Sequence, residues 1–153
     1  MSWFGVPVLR ADRLLARAQR RPDGCLGPAP ADELRIWLAH ALFQELMLTM
    51  SELFTVRGLL APEVVAEARA EAAGEGWVAG FDGVLTIARA AIARLDRGQP
   101  LRLPVPVPVT LSLRTGAEHA RHLHLRGQTR AAAREAALRV PLVIAKRRRL
   151  LLG

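Results

Sequence analysis

The chain has 153 residues, of which 51% are hydrophobic and 24% are charged, and its formal net charge is +8. This length and apolar content are typical of one globular domain, or of a domain with an appended arm, and they exclude an intrinsically disordered chain. The single cysteine excludes an internal disulfide and a cysteine metal cluster, and it favours a reducing, cytoplasmic compartment.

The first hundred residues predict a bundle of about four helices. Helix boundaries are inferred from capping aspartates such as Asp82, from proline at a first helical position, and from glycines such as Gly58, expected in the left-handed conformation. The second helix is apolar almost all round its axis, which predicts a central helix covered on several sides. Trp77, in a glycine-rich connector, is expected to fold back on the core. The predicted helices span 12–21, 32–57, 62–73 and 83–97.

After residue 98 the pattern changes. Prolines alternate with valines up to Pro108, which predicts an extended segment that cannot be a central strand. Apolar and polar residues then alternate over 109–126, which predicts a β-hairpin with its turn at 115–119. Thr129 is expected to cap a last helix over 130–140.

The predicted fold is therefore mostly α with a small β-hairpin, an α+β arrangement. It is divided into a helical bundle over 1–98, an extended proline-rich linker over 99–108, and a basic hairpin, helix and tail over 109–153. Its longest apolar stretch, 36–56, is interrupted by polar and charged residues, so a membrane span is not expected. Peripheral contact of the basic and apolar C-terminus with a membrane is a minor alternative. The N-terminus shows no secretory signal.

The positive charge is concentrated in the last third of the chain. Residues 101–153 contain eleven basic and two acidic residues, whereas the first hundred contain eleven basic and twelve acidic residues. A near-neutral body joined to a basic segment predicts an anionic partner. The leading hypothesis is a non-enzymatic protein that binds the backbone of DNA or RNA, with the helical body mediating assembly. The candidate binding residues are Arg114, Arg121, Arg126, Arg130, Lys146, Arg147, Arg148 and Arg149.

The basic segment lacks aromatic residues, since Phe81 is the last one in the chain. Bases therefore have no platform on which to stack, and contact with the backbone of a duplex or of structured RNA is favoured. Residues 121–140, a basic strand followed by a Gly-Gln-Thr turn and a helix rich in Ala and Arg, resemble in outline the β-β-α ends of double-stranded-RNA domains and of the arm-binding domains of some integrases. This resemblance implies a nucleic-acid-binding module.

A second class of function, a structural role in an assembly, also fits the sequence. The apolar second helix and the terminal leucines 150–152 predict a surface for a homo-oligomer or for a larger protein complex. In this alternative the protein is a structural subunit with no direct role in nucleic-acid binding, and its arginines meet acidic protein surfaces.

No catalytic motif or cofactor loop is found, so the protein is expected not to be an enzyme and to bind no cofactor. His119, His122 and His124 place imidazoles close together, but neighbouring arginines would repel a bound cation, and a metal site is not expected. His40, near Glu52 on the predicted second helix, is expected to be a core histidine with its hydrogen bonds satisfied.

Overall fold

Helices dominate the computed structural model, which describes residues 9–134 and residue 137. The prediction of a mostly α fold is confirmed. The helices are α1 (Ala11–Ala16), α2 (Pro30–His40), a π-helix (Ala41–Glu45), α3 (Met50–Gly58), α4 (Pro62–Gly74), α5 (Val78–Asp96) and α6 (Val109–Leu125). Residues 129–134 are also helical, and we call this helix α7; residue 137 is helical as well. The strands are β1 (Gln19–Arg20), β2 (Leu26–Gly27), β3 (Met47–Leu48) and β4 (Val105–Pro106); β1 pairs with β2 and β3 with β4, both antiparallel.

The hydrophobic core lies among α2, α3, α4, α5 and the π-helix. Buried side chains on α5 recur at spacings of three and four residues, the pattern of a helix with one face inside. Trp77 is completely buried, as expected, and its ring meets that of Phe81 edge-on with centroids 5.8 Å apart. The connector before α5 is therefore part of the core.

Proline predicts the start of α4 correctly, because Pro62 occupies its first turn. In contrast, α5 begins at Val78 and not at residue 83. Asp82 does not cap it: its two carboxylate oxygens accept hydrogen bonds from Arg69 Nε and Nη2, both 2.9 Å. The first helix ends at Ala16, five residues early, because the chain turns there into β1.

The single long helix predicted over 32–57 is wrong. Residue Leu46 has φ 55° and ψ 28°, a left-handed conformation that stops the π-helix after Glu45. The chain restarts at α3 with a capping box, in which Thr49 N–H donates to Glu52 Oε2 at 2.6 Å and Glu52 N–H donates to Thr49 Oγ1 at 3.4 Å. Because α2 and α3 bury different faces, their sequences together resembled a single helix that is apolar all round its axis. Gly58, the last residue of α3, does not have the positive φ expected of it.

The β-hairpin predicted over 109–126 is also wrong, since α6 covers this range. Its buried residues are spaced three and four apart, which places them on one face of a helix. These residues are Ser112, Thr115, Gly116, His119 and Leu123. The last helix is confirmed as far as residue 134, although Thr129 is its first residue and not its cap. The remainder of the predicted helix, apart from residue 137, and the tail lie outside the described residues.

The proline-rich segment is extended, as predicted, and it is attached to the body. Residue Val105 pairs with Leu48 and Pro106 with Met47, and Val107 N–H donates to the carbonyl of Leu46 at 2.8 Å. The Val107 side chain is buried in the core. This contact positions the start of α6 against the helical body.

A close approach of α5 to its neighbours depends on Gly80. A Cβ there would lie 2.5 Å from Leu42 Cδ2 and from Thr115 Cγ2. Gly80→Ala is therefore expected to lower the free energy of unfolding by about 1–3 kcal/mol through overpacking, although Ala is the better helix former. Gly74→Ala, at a position with open space around it, is the control and is expected to raise the free energy of unfolding by about 0.5 kcal/mol. Urea denaturation followed by circular dichroism measures both, and stabilisation of both variants would contradict the close approach.

Candidate functional site

Six of the eleven arginines in the first hundred residues form ion pairs with carboxylates of described residues. These pairs are Arg10–Asp12, Arg17 with Asp32, Glu67 and Glu71, Arg21–Glu33, Arg35 with Asp32 and Glu75, Arg57–Asp96, and Arg69–Asp82. Hydrogen bonds from Arg10 lower the pKa of Asp12 below its ordinary value, which favours the charged form of this exposed pair. Much of the positive charge of the body is therefore neutralised within the fold.

Four arginines near the end of the described chain are arranged differently. Arg121, Arg126, Arg130 and Arg134 are exposed, and none of them forms an ion pair with another residue in 9–134 or with residue 137. We call these four residues the basic surface. Arg114 is also exposed, but its Nε lies 3.0 Å from Glu118 Oε1 one turn along α6.

Three of the predicted binding residues, Arg121, Arg126 and Arg130, are thus exposed and form no ion pair with a described residue, whereas Arg114 is paired. Arg134 was not predicted, although its position four residues after Arg130 on a helix was a usable signal. The other predicted residues, Lys146, Arg147, Arg148 and Arg149, lie outside the described residues.

Helix α6 fixes the position of the basic surface because one of its faces is buried. On that face, His119 is 1% exposed, and its Nδ1 donates to the backbone carbonyl of Glu75 at 2.8 Å. Nearby, His122 packs against Gly76, where a Cβ would lie 2.4 Å from the His122 Cγ. Gly76 has φ +79°, so glycine suits both the backbone conformation of this turn and the close contact with His122. Residues His119 and His122 therefore hold α6 against the joint between α4 and α5.

A buried charge network supports this joint from the other side. Arg35 Nη1 donates to Asp32 Oδ1 at 2.7 Å, and its Nη2 forms an ion pair with Glu75 Oε2. The indole Nε1 of Trp77 donates to the same Glu75 oxygen at 3.0 Å, and Arg17 Nε lies 3.2 Å from Asp32 Oδ2. The sequence did not indicate this network, since Asp32 has the position of a helix cap and charged residues are usually exposed.

His40 is the other histidine for which the sequence predicts a role. His40 Nδ1 donates to Glu52 Oε1 at 2.9 Å, as expected of a hydrogen-bonded histidine, but its side chain is 24% exposed and so lies at the edge of the core and not within it. Because Glu52 also accepts the hydrogen bond of the α3 capping box, this contact ties α2 to the start of α3.

Within residues 9–134 and 137, no three His, Cys, Asp or Glu side chains come together in a way that could hold a metal ion. His122 and His124 lie on a helix and not on a strand, so they do not share a face. An open cleft of about 340 Å³ is lined by residues of the α1–β1 connection, α2 and α4, and its charged lining residues, Arg17 and Glu67, pair with each other. No helix in this part of the chain combines the length and the apolar character that crossing a bilayer requires.

Comparisons of the chain with models of protein families, with curated proteins and with solved structures found no match. Function is therefore inferred from the geometry of this chain alone.

Proposed function

We propose that this protein is a non-enzymatic nucleic-acid-binding protein that contacts phosphates through the basic surface. The observation that carries the proposal is the contrast between two sets of arginines. Six arginines of the body are bound to carboxylates, whereas Arg121, Arg126, Arg130 and Arg134 are exposed and form no ion pair with any described residue.

This contrast favours phosphate binding at exposed, unpaired arginines over the paired ones, and the basic surface gathers four of them within residues 121–134. Other exposed arginines that form no ion pair with described residues, such as Arg13, Arg89 and Arg102, lie apart from one another in the sequence. A phosphate that approached Arg17 or Arg35 would have to displace a carboxylate that is already bound. At the basic surface it displaces only water and condensed counterions, and the release of counterions drives binding. The arginine fork also matches a phosphate well, because it can donate two parallel hydrogen bonds. In this proposal Lys146–Arg149 extend the same interface along the chain.

The test is a titration of nuclease-treated protein into labelled duplex DNA, duplex RNA and a polyanion control, between about 50 and about 300 mM salt. The triple variant Arg121→Gln, Arg126→Gln, Arg130→Gln is expected to lose about 10²-fold in affinity for nucleic acid near physiological salt. Its slope of log affinity against log salt is expected to be shallower by about 2–3, since each phosphate contact contributes about 0.9.

A second triple variant, Arg13→Gln, Arg89→Gln, Arg102→Gln, is the matched control. It removes the same charge from exposed arginines that form no ion pair with described residues and lie outside the basic surface. We expect its affinity to change several-fold at most, because the remaining effect is long-range and screened by salt. Equal losses in the two triple variants would mean that net charge, and not the basic surface, determines binding.

The assembly alternative is kept as a second proposal because of an apolar patch on α3. Met50 and Phe54 lie one turn apart and are 37% and 58% exposed. A patch of this kind is typical of a protein contact surface. Under this proposal wild-type protein binds all three polyanions weakly and equally, and the arginines of the basic surface meet acidic groups of a protein partner.

A further inference from the structure

The end of α6 and the start of α7 are joined by a turn of three residues with fixed geometry. Gly127 N–H donates to the carbonyl of His124, and Gln128 N–H donates to the carbonyl of Leu123, both at 2.9 Å. With Gly127 at φ +74°, these two bonds form a Schellman motif. Helix α7 follows at once, with Ala132 N–H donating to the carbonyl of Gln128 at 3.0 Å. Two helices joined by a short glycine-containing turn have the connectivity of a helix-turn-helix unit.

Burial distinguishes the two helices of this unit. Helix α6 is anchored in the body through His119 and Leu123, which are 1% and 6% exposed. On α7, Ala132 is buried, whereas the described residues on the opposite side are exposed. These exposed residues are Arg130, Ala133 and Arg134, at positions i, i+3 and i+4 of one helical face.

The exposed face of α7 combines two arginines with one alanine. Ala133 keeps the helix narrow between them, so the backbone can approach a surface closely, and it can contact the methyl group of a thymine. The arginines lie one turn apart and can reach phosphates or the guanine edge. An α-helix is about 10–12 Å across with its side chains, and the major groove of B-form DNA is about 12 Å wide.

Resting on the proposed function, we infer that α7 enters the major groove of duplex DNA while α6 supports it from the body. The charge of the α7 face is complementary to the groove, which phosphates border on both sides. Arg121 and Arg126, on α6 and the turn, then bind phosphates beside the groove, while Arg130 and Arg134 lie within it. Duplex RNA is excluded from this mode because its major groove is deep and too narrow for a helix.

The test compares the full chain on two DNA duplexes of one sequence, the second with bulky substituents at C5 of its pyrimidines. These substituents fill the major groove, where the thymine methyl projects, and leave the phosphates unchanged. We expect the wild-type protein to bind the substituted duplex at least about tenfold more weakly, and to prefer plain duplex DNA to duplex RNA by a similar factor.

The double variant Arg130→Gln, Arg134→Gln is expected to bind the plain and the substituted duplex with equal affinity, because groove contact is lost while Arg121 and Arg126 remain. Circular dichroism checks that this exposed double change leaves the fold intact. Equal, salt-dependent binding of wild type to both duplexes would overturn groove insertion and leave the proposed function standing. Failure to bind either duplex more tightly than the polyanion control would overturn both.

Discussion

Replacing Arg35 with methionine is expected to lower the free energy of unfolding by about 3–5 kcal/mol. Arg35 is 2% exposed, and its guanidinium is shared between Asp32 and Glu75. Methionine fills similar space but leaves two buried carboxylates short of their strongest partner, and uncompensated buried charge is costly. Urea denaturation followed by far-ultraviolet circular dichroism measures the loss.

The control for this prediction is Arg57→Met, which removes the same charge from an ion pair at the surface. The Arg57–Asp96 pair is about half exposed, and water replaces it at little cost, so a change within about 1 kcal/mol is expected. A double variant, Arg35→Met with Glu75→Gln, should recover part of the loss, because it removes the charge that Arg35 neutralised. Equal effects of Arg35→Met and Arg57→Met would show that burial of the network contributes nothing to stability.

Trp77→Ala is expected to cost about 3–5 kcal/mol, because it opens a cavity in the core. The Trp77 ring is completely buried, and its centroid lies 6.0 Å from that of Phe43 and 5.8 Å from that of Phe81. Its Nε1 also donates to Glu75, so the ring joins the core to the charge network.

Trp77→Phe separates these two roles. It keeps an aromatic ring in the core but removes the hydrogen bond to the Glu75 carboxylate, for an expected loss of about 1–3 kcal/mol. Urea denaturation ranks the wild type, Trp77→Phe and Trp77→Ala by their free energies of unfolding. If alanine costs no more than phenylalanine, the ring is not the packing centre that its burial indicates.

The helices predicted well from the sequence are those with strong local signals. Pro62 and the acidic first turn specify the start of α4. The regular buried stripe of α5 identified it as a helix, although not its start at Val78. The predictions failed where helix and strand periodicity place the same residues on one face over a short range. Positions i, i+2 and i+4 lie on one face of a strand, while i and i+4 also share a face of a helix, so Val109, Leu111 and Leu113 could not separate the two. At Thr49 the structure has a capping box where the continuous apolar pattern predicted the middle of one helix.

The basic surface was predictable for a different reason. Charged residues are exposed by default, so Arg121, Arg126 and Arg130 kept their assignment as exposed cations when the predicted hairpin became a helix. The buried network was not predictable by the same rule. Whether Arg35 lies inside depends on Glu75, forty residues away, and only the tertiary packing of α2 against the α4–α5 joint brings the two together.

The pairing of β3 with β4 has a consequence for how this molecule meets copies of itself. Val105 and Val107 direct their hydrogen-bonding groups toward β3, as the bond from Val107 to Leu46 shows. Pro106 lies between them, and its backbone groups face the outer side of the two-stranded β3–β4 sheet. Proline offers a carbonyl there but no N–H. A foreign strand arriving at that edge therefore finds no donor with which to continue the ladder. The alternation of proline and valine thus lets one edge of the segment pair with β3. The other edge lacks N–H donors, which protects it from intermolecular β-aggregation.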